Sequence, residues 1–297
     1  MSGGWVAIVN PTCGRGLPAR ALSRLVCRLR EVADPVLTTE YQGHAQDLAQ
    51  QFGSAKGVVV GGGDGTLFEV LQTLRRDCQQ VVIIPIGRGN SLARDLGAFA
   101  PETALSSVAS GTTMAIDLLA VSLEFDHGDR WTGLSASNVG VGYPAEIVRL
   151  ATRHLRWAGR HCYALAAVAT GPSTMTMRVS YDGEPFAPRS ATGLIVSNTR
   201  HIGPFEGFPD AELTDGLCES MELRGGWLSQ NLHNLSVLTR WHGFCPASVR
   251  RVRTVTAVFD EPTVIKIDGE LRPGVRRVEV GVLPASLSCR VPRGAHV

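Results

Sequence analysis

With 297 residues, 44% of them hydrophobic and 19% charged, the chain carries enough apolar material for a sizeable core, which excludes a disordered chain and suits two domains. A net charge of +2 and a pI near 8.2 are too balanced to suggest a nucleic-acid partner. Seven cysteines, odd in number and without a C-x-x-C pair, argue against a disulfide framework or a cysteine zinc site and for reduced thiols in a cytoplasm.

The first residues, "MSGGWVAIVN", lack a basic segment followed by a long apolar run, so no signal peptide is expected. "WVAIVN" (5–10) reads as a buried strand ending at Asn10-Pro11. "LPARALSRLVCRLREV" follows with Leu22, Leu25, Val26 and Leu29 at helical spacing. "PVLTTE", "GVVVGGG" and "VVIIPIGRGN" are further apolar strands, each running into polar or glycine-rich residues. Strands alternating with helices, each strand apolar throughout, predict a Rossmann-like parallel sheet covered on both faces. Ligand sites in such sheets lie beyond the carboxyl ends of the strands, where Asn10, Thr39, Asp64 and residues 87–90 all fall. One crevice could hold them all.

After about residue 117 the texture changes. "TMTMRVSYDGE", "TGLIVSN", "RTVTAVFDEPTVIKIDGE" and "RRVEVGVLPASLSCRVP" are β-rich and punctuated by turns, which predicts an antiparallel sandwich or open barrel. Two helix candidates interrupt it, near 144–170 and 227–240. The longest apolar run, "CYALAAVATG", is about half the length a bilayer span requires.

Chemistry concentrates in "VVVGGGDGTLFEV" (58–70). Glycines permit close backbone approach, and a helix start aims N–H groups at an anion. Asp64 in that loop makes sense if a cation lies between it and a phosphate. The segment fits neither a Walker A loop nor G-x-G-x-x-G, and a plain tight turn is the bland reading. "PIGRGNSLARDLG" (85–97) is a second glycine-rich strand exit, weak alone and more demanding as one of a pair.

"NPTCGRG", "GGGDGTLFEV" and "PIGRGNSLARDLG", in that order, resemble the diacylglycerol kinase catalytic domain, whose superfamily includes bacterial lipid kinases, sphingosine kinases and ceramide kinases. "AIDLLAV", "SASNVGVGYPAEIVRLA", the 196–223 stretch and "IKIDGELRP" extend the resemblance over nearly the full length. It implies a nucleotide-binding α/β domain over 1–117 of the NAD-kinase and diacylglycerol-kinase type. A β-rich lipid-substrate domain would cover 118–284, with the tail, 285–297, packing back on the first.

The implied activity is ATP-dependent phosphorylation of a hydroxyl on a diacylglycerol-like or sphingoid lipid, with Mg2+. Beside Asn10, the resemblance places ATP at Thr39, Gly62, Gly63, Asp64, Gly65, Thr66, Leu67 and Phe68. The second loop, Gly87, Arg88, Gly89 and Asn90, falls at the same ligand. Glu270 falls on the family's general base, and Asp64 and Asp117 on carboxylates that organise the catalytic Mg2+. Asp215, with the backbone oxygens of Glu212 and Leu217, matches a second, structural metal site.

Alternatives stay open at this point: an NAD-kinase-like phosphotransferase with a small soluble substrate, or a nucleotide- or lipid-binding protein with impaired catalysis. Arg88 stands where relatives carry a threonine and Ser91 where they carry an aspartate; Arg88 is expected to aim its guanidinium at the ATP phosphates. The stretch 146–168 mixes Arg149, Arg153, Arg156 and Arg160 with Leu150, Leu155, Trp157 and Tyr163. It reads as a helix packed on the sheet or one resting on an anionic membrane. The protein is therefore expected to be cytoplasmic, with peripheral membrane contact and a homodimer both compatible with the reading.

Overall fold

The computed structural model describes residues 4–13, 18–238 and 248–294. Strand β1 (Trp5–Val9) is buried along its whole length, as a run without polar alternation requires. There follow α1 (Ala19–Leu29), β2 (Val36–Thr38), α2 (His44–Gln51), β3 (Gly57–Gly62), α3 (Asp64–Leu71), β4 (Gln80–Pro85), α4 (Ser91–Asp95) and α5 (Pro101–Ser110). Strands β1 to β4 pair in parallel in the order β4-β3-β1-β2, the Rossmann-like arrangement expected from the alternation. Ile8, Val58, Val60 and Ile84 form their core with Leu48, Leu71 and Leu105 from the helices.

From Thr112 onward the strands pair with one another in antiparallel fashion. Strands β5 (Thr112–Phe125), β6 (Arg130–Ser135) and β7 (Asn138–Gly142) lead to α6 (Tyr143–His154), a 3-10 segment over Arg156–His161, and α7 (Cys162–Ala169). Next come β8 (Met175–Tyr181), β9 (Ala187–Ala191), β10 (Gly193–Ser197), β11 (His201–Ile202), β12 (Phe205–Glu206) and β13 (Cys218–Leu223). Helix α8 (Trp227–Leu238), β14 (Ser248–Val252), β15 (Thr254–Ile267) and β16 (Glu270–Val291) complete the order.

Strand β15 changes partners along its length: residues 255–259 pair with β8 and residues 265–267 with β7. The sheet thereby divides into two layers that close over one core, to which Leu119, Val141, Val179, Leu194, Ala257 and Val278 contribute. β16 pairs antiparallel with β5, while its Ser288 and Cys289 also pair in parallel with Gln80 and Val81 of β4. β5 runs through positions 117 and 118, and β16 through 284 and 285, so one sheet is continuous across both regions.

The 146–168 stretch departs from a single helix. Leu155, at φ −114 and ψ 15, ends α6, and Gly159, at φ 57 and ψ −124, is a second residue outside the right-handed helical region. The side chains of Arg156 and Arg160 lie outside the described residues, as do positions 239–240 of the second helix candidate. Among the described residues no helix is long and apolar enough to cross a membrane.

Candidate active site

The loop between β3 and α3 is built by close approach. A Cβ at Gly62 would collide with the Thr66 side chain, and one at Gly87 with the Cα of Gly63, so the two glycine-rich loops touch backbone to backbone. Helix α3 makes its first bond from the Leu67 N–H to the Gly63 carbonyl, 3.1 Å. The N–H groups of residues 64–66 are therefore left over at the helix start, as in any α-helix. Asn10 Nδ2 donates to Thr66 Oγ1 at 3.2 Å, tying the end of β1 to the same spot. Thr39 is buried there, its N–H bonded to the Val9 carbonyl.

The Asp64 carboxylate reaches across to the second loop. Its Oδ1 accepts the Ser91 N–H (2.7 Å) and its Oδ2 the Asn90 N–H (3.0 Å). A side chain at Gly89 would overlap Oδ2. Asn90 sits in the left-handed region (φ 56) and closes the loop on itself, accepting the Gly87 N–H and donating to the Gly87 carbonyl. Ser91 Oγ accepts the Gly203 N–H at 2.8 Å, so this residue links α4 to the β11–β12 hairpin. Leu67 and Phe68 turn their side chains into the two cores.

The turn between β15 and β16 brings Glu270 to this place. Asp268, with φ 49, is its left-handed residue, and not the glycine that follows it. Buried Asp268 accepts four hydrogen bonds from the turn between β6 and β7: Ser135 Oγ and the N–H groups of Ala136, Ser137 and Asn138. Glu270 Oε2 accepts from Gln42 Nε2 at 2.6 Å, and its Oε1 would lie 3.6 Å from a Cβ at Gly65. Asp64 and Glu270, more than two hundred positions apart in the chain, thus flank the start of α3.

Two cavities adjoin at that point. A polar cleft of about 370 Å³ is lined by Asn10, Thr39, Gly63, Gly65, Thr66 and Glu270, together with Thr12, Cys13, Glu40, Tyr41, Gln42 and Glu69. An apolar cavity of about 420 Å³ lies between α6, α7, α8 and the sheet, and Asp64, Gly89, Ser91, Lys266, Asp268 and Gly269 form its polar end. Neighbouring residues, Asp64 with Gly65 and Gly269 with Glu270, face opposite cavities and form the boundary. The cleft contains the carboxylates of Glu40, Glu69 and Glu270, and no lysine or arginine among the described residues that line it. A bare polyphosphate would be repelled there; one carrying Mg2+, met by helix N–H groups and a carboxylate, fits the donor set.

Burial pushes Asp64 up to about 6, assisted by the charge of Asp268 and opposed by the Ser91 and Asn90 N–H groups and Lys266. Burial raises Glu270 as well, with Glu69 acting in the same direction and Gln42 against it. Burial pulls Lys266 down to about 8, while Asp268 and Asp64 favour its charged form. An acid whose folded-state pKa is raised binds its proton more tightly when folded. Its charge therefore weakens the fold as pH rises through the interval between 3.8 and about 6. The unliganded protein should gain about 1 kcal/mol from this group between pH 7 and pH 5. Urea titrations of wild type and Asp64→Asn at both pH values isolate it from Glu219, which burial also raises. Equal pH slopes in the two proteins would rule it out.

The remaining expected site residues have other surroundings. Asp117 is buried, its Oδ1 accepting the Ala285 N–H and its Oδ2 the Gly216 N–H, each at 2.7 Å. It holds together β5, the loop before β13 and the kink in β16, and it lines neither cavity. Asp215 Oδ1 accepts the Leu217 N–H (2.9 Å), and its Oδ2 is paired with Arg251, which also lies 3.5 Å from Glu219 Oε1. Glu212 adds to the negative field on that guanidinium. The charge at the expected structural metal position is therefore met by a side chain, and a metal there would have to displace it. Arg88 is absent from the described residues lining the polar cleft; its charge acts on Cys162 and Tyr163 of α7.

The chain is 31% identical over 302 residues to "Diacylglycerol kinase" of Mycobacterium tuberculosis, covering 97% of this chain and 94% of that protein. It belongs to the diacylglycerol kinase family. The family model for the diacylglycerol kinase catalytic domain matches residues 4–121. "Probable lipid kinase YegS-like" of Xanthomonas oryzae is 26% identical over 251 residues, covering 79% of this chain and 78% of its own. A crystal structure of a diacylglycerol kinase from Bacillus anthracis shares the fold, with a TM-score of 0.75 at 20% identity over 99% of this chain and 98% of that one. In this diacylglycerol kinase family member the sequence reading had passed over Asp268, Gln42, Ser137 and Lys266 as site residues. Only Lys266 carried a signal of its own: it is one of two lysines and stands between two isoleucines in an apolar strand.

Proposed function

We propose that the protein transfers the γ-phosphoryl group of ATP, as its Mg2+ complex, to the free hydroxyl of a diacylglycerol-like or sphingoid lipid. One observation carries the reading: a polar cleft and an apolar cavity meet where Asp64 and Glu270 flank the start of α3. A soluble acceptor of the NAD-kinase kind would have no use for a cavity walled by Tyr143, Ile147, Ile195, Phe205 and Leu223.

Bound Mg2+ supplies charge neutralisation on the transferred group, which phosphoryl transfer needs more than covalent help. Asp64, at the boundary between the two cavities and with further lone pairs beyond its bonds to Asn90 and Ser91, would hold it, and the N–H groups of residues 64–66 would meet phosphate oxygens. Glu270 is placed to take the hydroxyl proton as the acceptor oxygen bonds to phosphorus and the bond to ADP breaks. Burial raises its pKa, which makes its carboxylate a stronger base than an exposed one. Gln42 orients it through Oε2. Asp117 acts at a distance, by holding the loop and the β16 kink around it.

Val168 and Trp227 line the apolar cavity and are also exposed, 52% each, so they mark its mouth. Trp157, Leu165, Leu228 and Leu232 are exposed apolar side chains on the neighbouring elements. These support contact with a bilayer surface, from which the lipid would enter. The test is phosphate transfer from labelled ATP with Mg2+ to 1,2-dioleoylglycerol in anionic vesicles. Labelled lipid is expected, and severalfold less from a Leu228→Glu/Leu232→Glu variant, with turnover of a water-soluble short-chain diacylglycerol retained. Label confined to a soluble alcohol such as NAD would overturn the reading.

A further inference from the structure

The loop before β13 is tied down by protein groups along its length. The Ala211 carbonyl accepts from Arg200 Nε at 2.9 Å, the Leu213 carbonyl accepts the Asp117 N–H at 2.7 Å, and the Gly216 N–H donates to Asp117 Oδ2. Asp215 sits among these bonds, its Oδ1 accepting the Leu217 N–H and its Oδ2 paired with Arg251. Strand register places Arg251 of β14 directly across from Glu219 of β13, and its Nε lies 3.5 Å from Glu219 Oε1. Nε and Nη2 form one edge of the rigid guanidinium fork, so a single edge faces both carboxylates. Glu219 is 3% exposed, and neither of its oxygens has a hydrogen-bond partner among the described residues. A buried carboxylate without donors is costly unless a cation stands beside it. Here one cation stands beside two carboxylates.

We propose that the Arg251 guanidinium is the built-in cation of this loop: it takes the place of a divalent metal ion at Asp215, wild type holds no such ion there, and removing the guanidinium creates a divalent-cation site on Asp215 and Glu219. The expected structural metal, with Asp215 as its side-chain ligand, does not fit beside Arg251. A divalent ion takes carboxylate oxygens at about 2.0–2.6 Å, and a guanidinium bonded to the same oxygen would be pressed against it, like charge on like. Arg251 reaches those lone pairs from its own strand through charge-assisted bonds, whereas a metal ion has to shed water first. None of these three side chains lines the nucleotide cleft or the apolar cavity, so the site stands apart from the lipid-kinase reading and from the Mg2+ carried by ATP.

The experiment is calorimetric titration with Ca2+, and separately with Mg2+, of nucleotide-free wild type, Asp215→Asn, Arg251→Ala and the double variant Arg251→Ala/Asp215→Asn. It is run at about pH 8, above the value of about 7 to which burial raises Glu219. Melting temperatures are taken in EDTA and in each ion. Wild type and Asp215→Asn should titrate alike, since any ion bound elsewhere leaves Asp215 out. Arg251→Ala should melt about 4–10 °C below wild type in EDTA, regain most of that loss in millimolar Ca2+, and bind one ion more than wild type. The double variant should lose both the extra ion and the regain. A divalent ion on wild type that Asp215→Asn removes overturns the proposal, and so does an Arg251→Ala protein that takes up no additional ion. Folding of Arg251→Ala only in the presence of Ca2+ supports it. If that variant folds in neither buffer, the comparison of wild type with Asp215→Asn decides. Ion binding is read here without lipid or ATP, so failure of phosphate transfer to lipid and failure of this proposal are separate results.

Discussion

Glu270→Gln is expected to lower kcat on a diacylglycerol by about 10²–10⁴-fold while leaving ATP affinity within about threefold, since the substitution removes proton acceptance and little else. Glutamine has the same shape and can still accept from Gln42, so the turn after β15 should keep its place. Asp64, the Asn10–Thr66 bond and the helix N–H groups are untouched. Single-turnover transfer gives the chemical step, and calorimetric titration with Mg2+·ATP gives binding. A loss under tenfold in the chemical step would remove Glu270 from the role of base. A parallel collapse of ATP binding would make it a nucleotide ligand.

Asp268→Ala should be among the most destabilising substitutions in the molecule, by about 3–5 kcal/mol. It strands the Ser135 hydroxyl and three N–H groups in a buried turn. It also withdraws the charge that most favours the buried ammonium of Lys266. Equilibrium urea unfolding measures the loss, which corresponds to a fall in melting temperature on the order of 10 °C for a chain of this size. Asp268→Asn retains an oxygen for three of the four bonds and should lose markedly less. A change below about 1 kcal/mol in the alanine variant would mean that the turn holds Glu270 without this carboxylate.

The parallel half was the most legible part. Apolar strands such as "WVAIV" and "GVVVGG" each end at a glycine or polar exit, and that local pattern is enough to set both the strand and the position of its loop. Asp64 followed from the same pattern, because a lone acid among glycines before a helix has few uses other than near a cation and an anion. Glu270 was identified by resemblance and by the order of segments, since its local sequence is ambiguous. The chain holds a second D-G-E at 182–184. There Asp182 has φ 49, as Asp268 does, and its carboxylate accepts the N–H groups of Arg253 and Thr254 at an exposed turn. Nothing local separates the two; burial against the β6–β7 turn does.

The helix over 146–168 was misjudged for the opposite reason. Its apolar spacing continues past Leu155 and Gly159, and the backbone angles of those two residues in the folded chain show the break. Arg88 was expected at the ATP phosphates because it stands where relatives carry a threonine; in the folded chain its charge acts on Cys162 and Tyr163.

By itself the amino-acid order determined the alternation of strands and helices, the two glycine-rich exits and the acid between them, because these depend on backbone conformation and hydrophobic period within a few residues. The tertiary structure alone decided that Asp64 and Glu270 stand at one boundary, that Asp117 and Asp215 are held by backbone N–H groups and Arg251, and that a lysine lies at the closed end of an apolar cavity. Those facts depend on which distant segments pack together, and on which charges that packing removes from water.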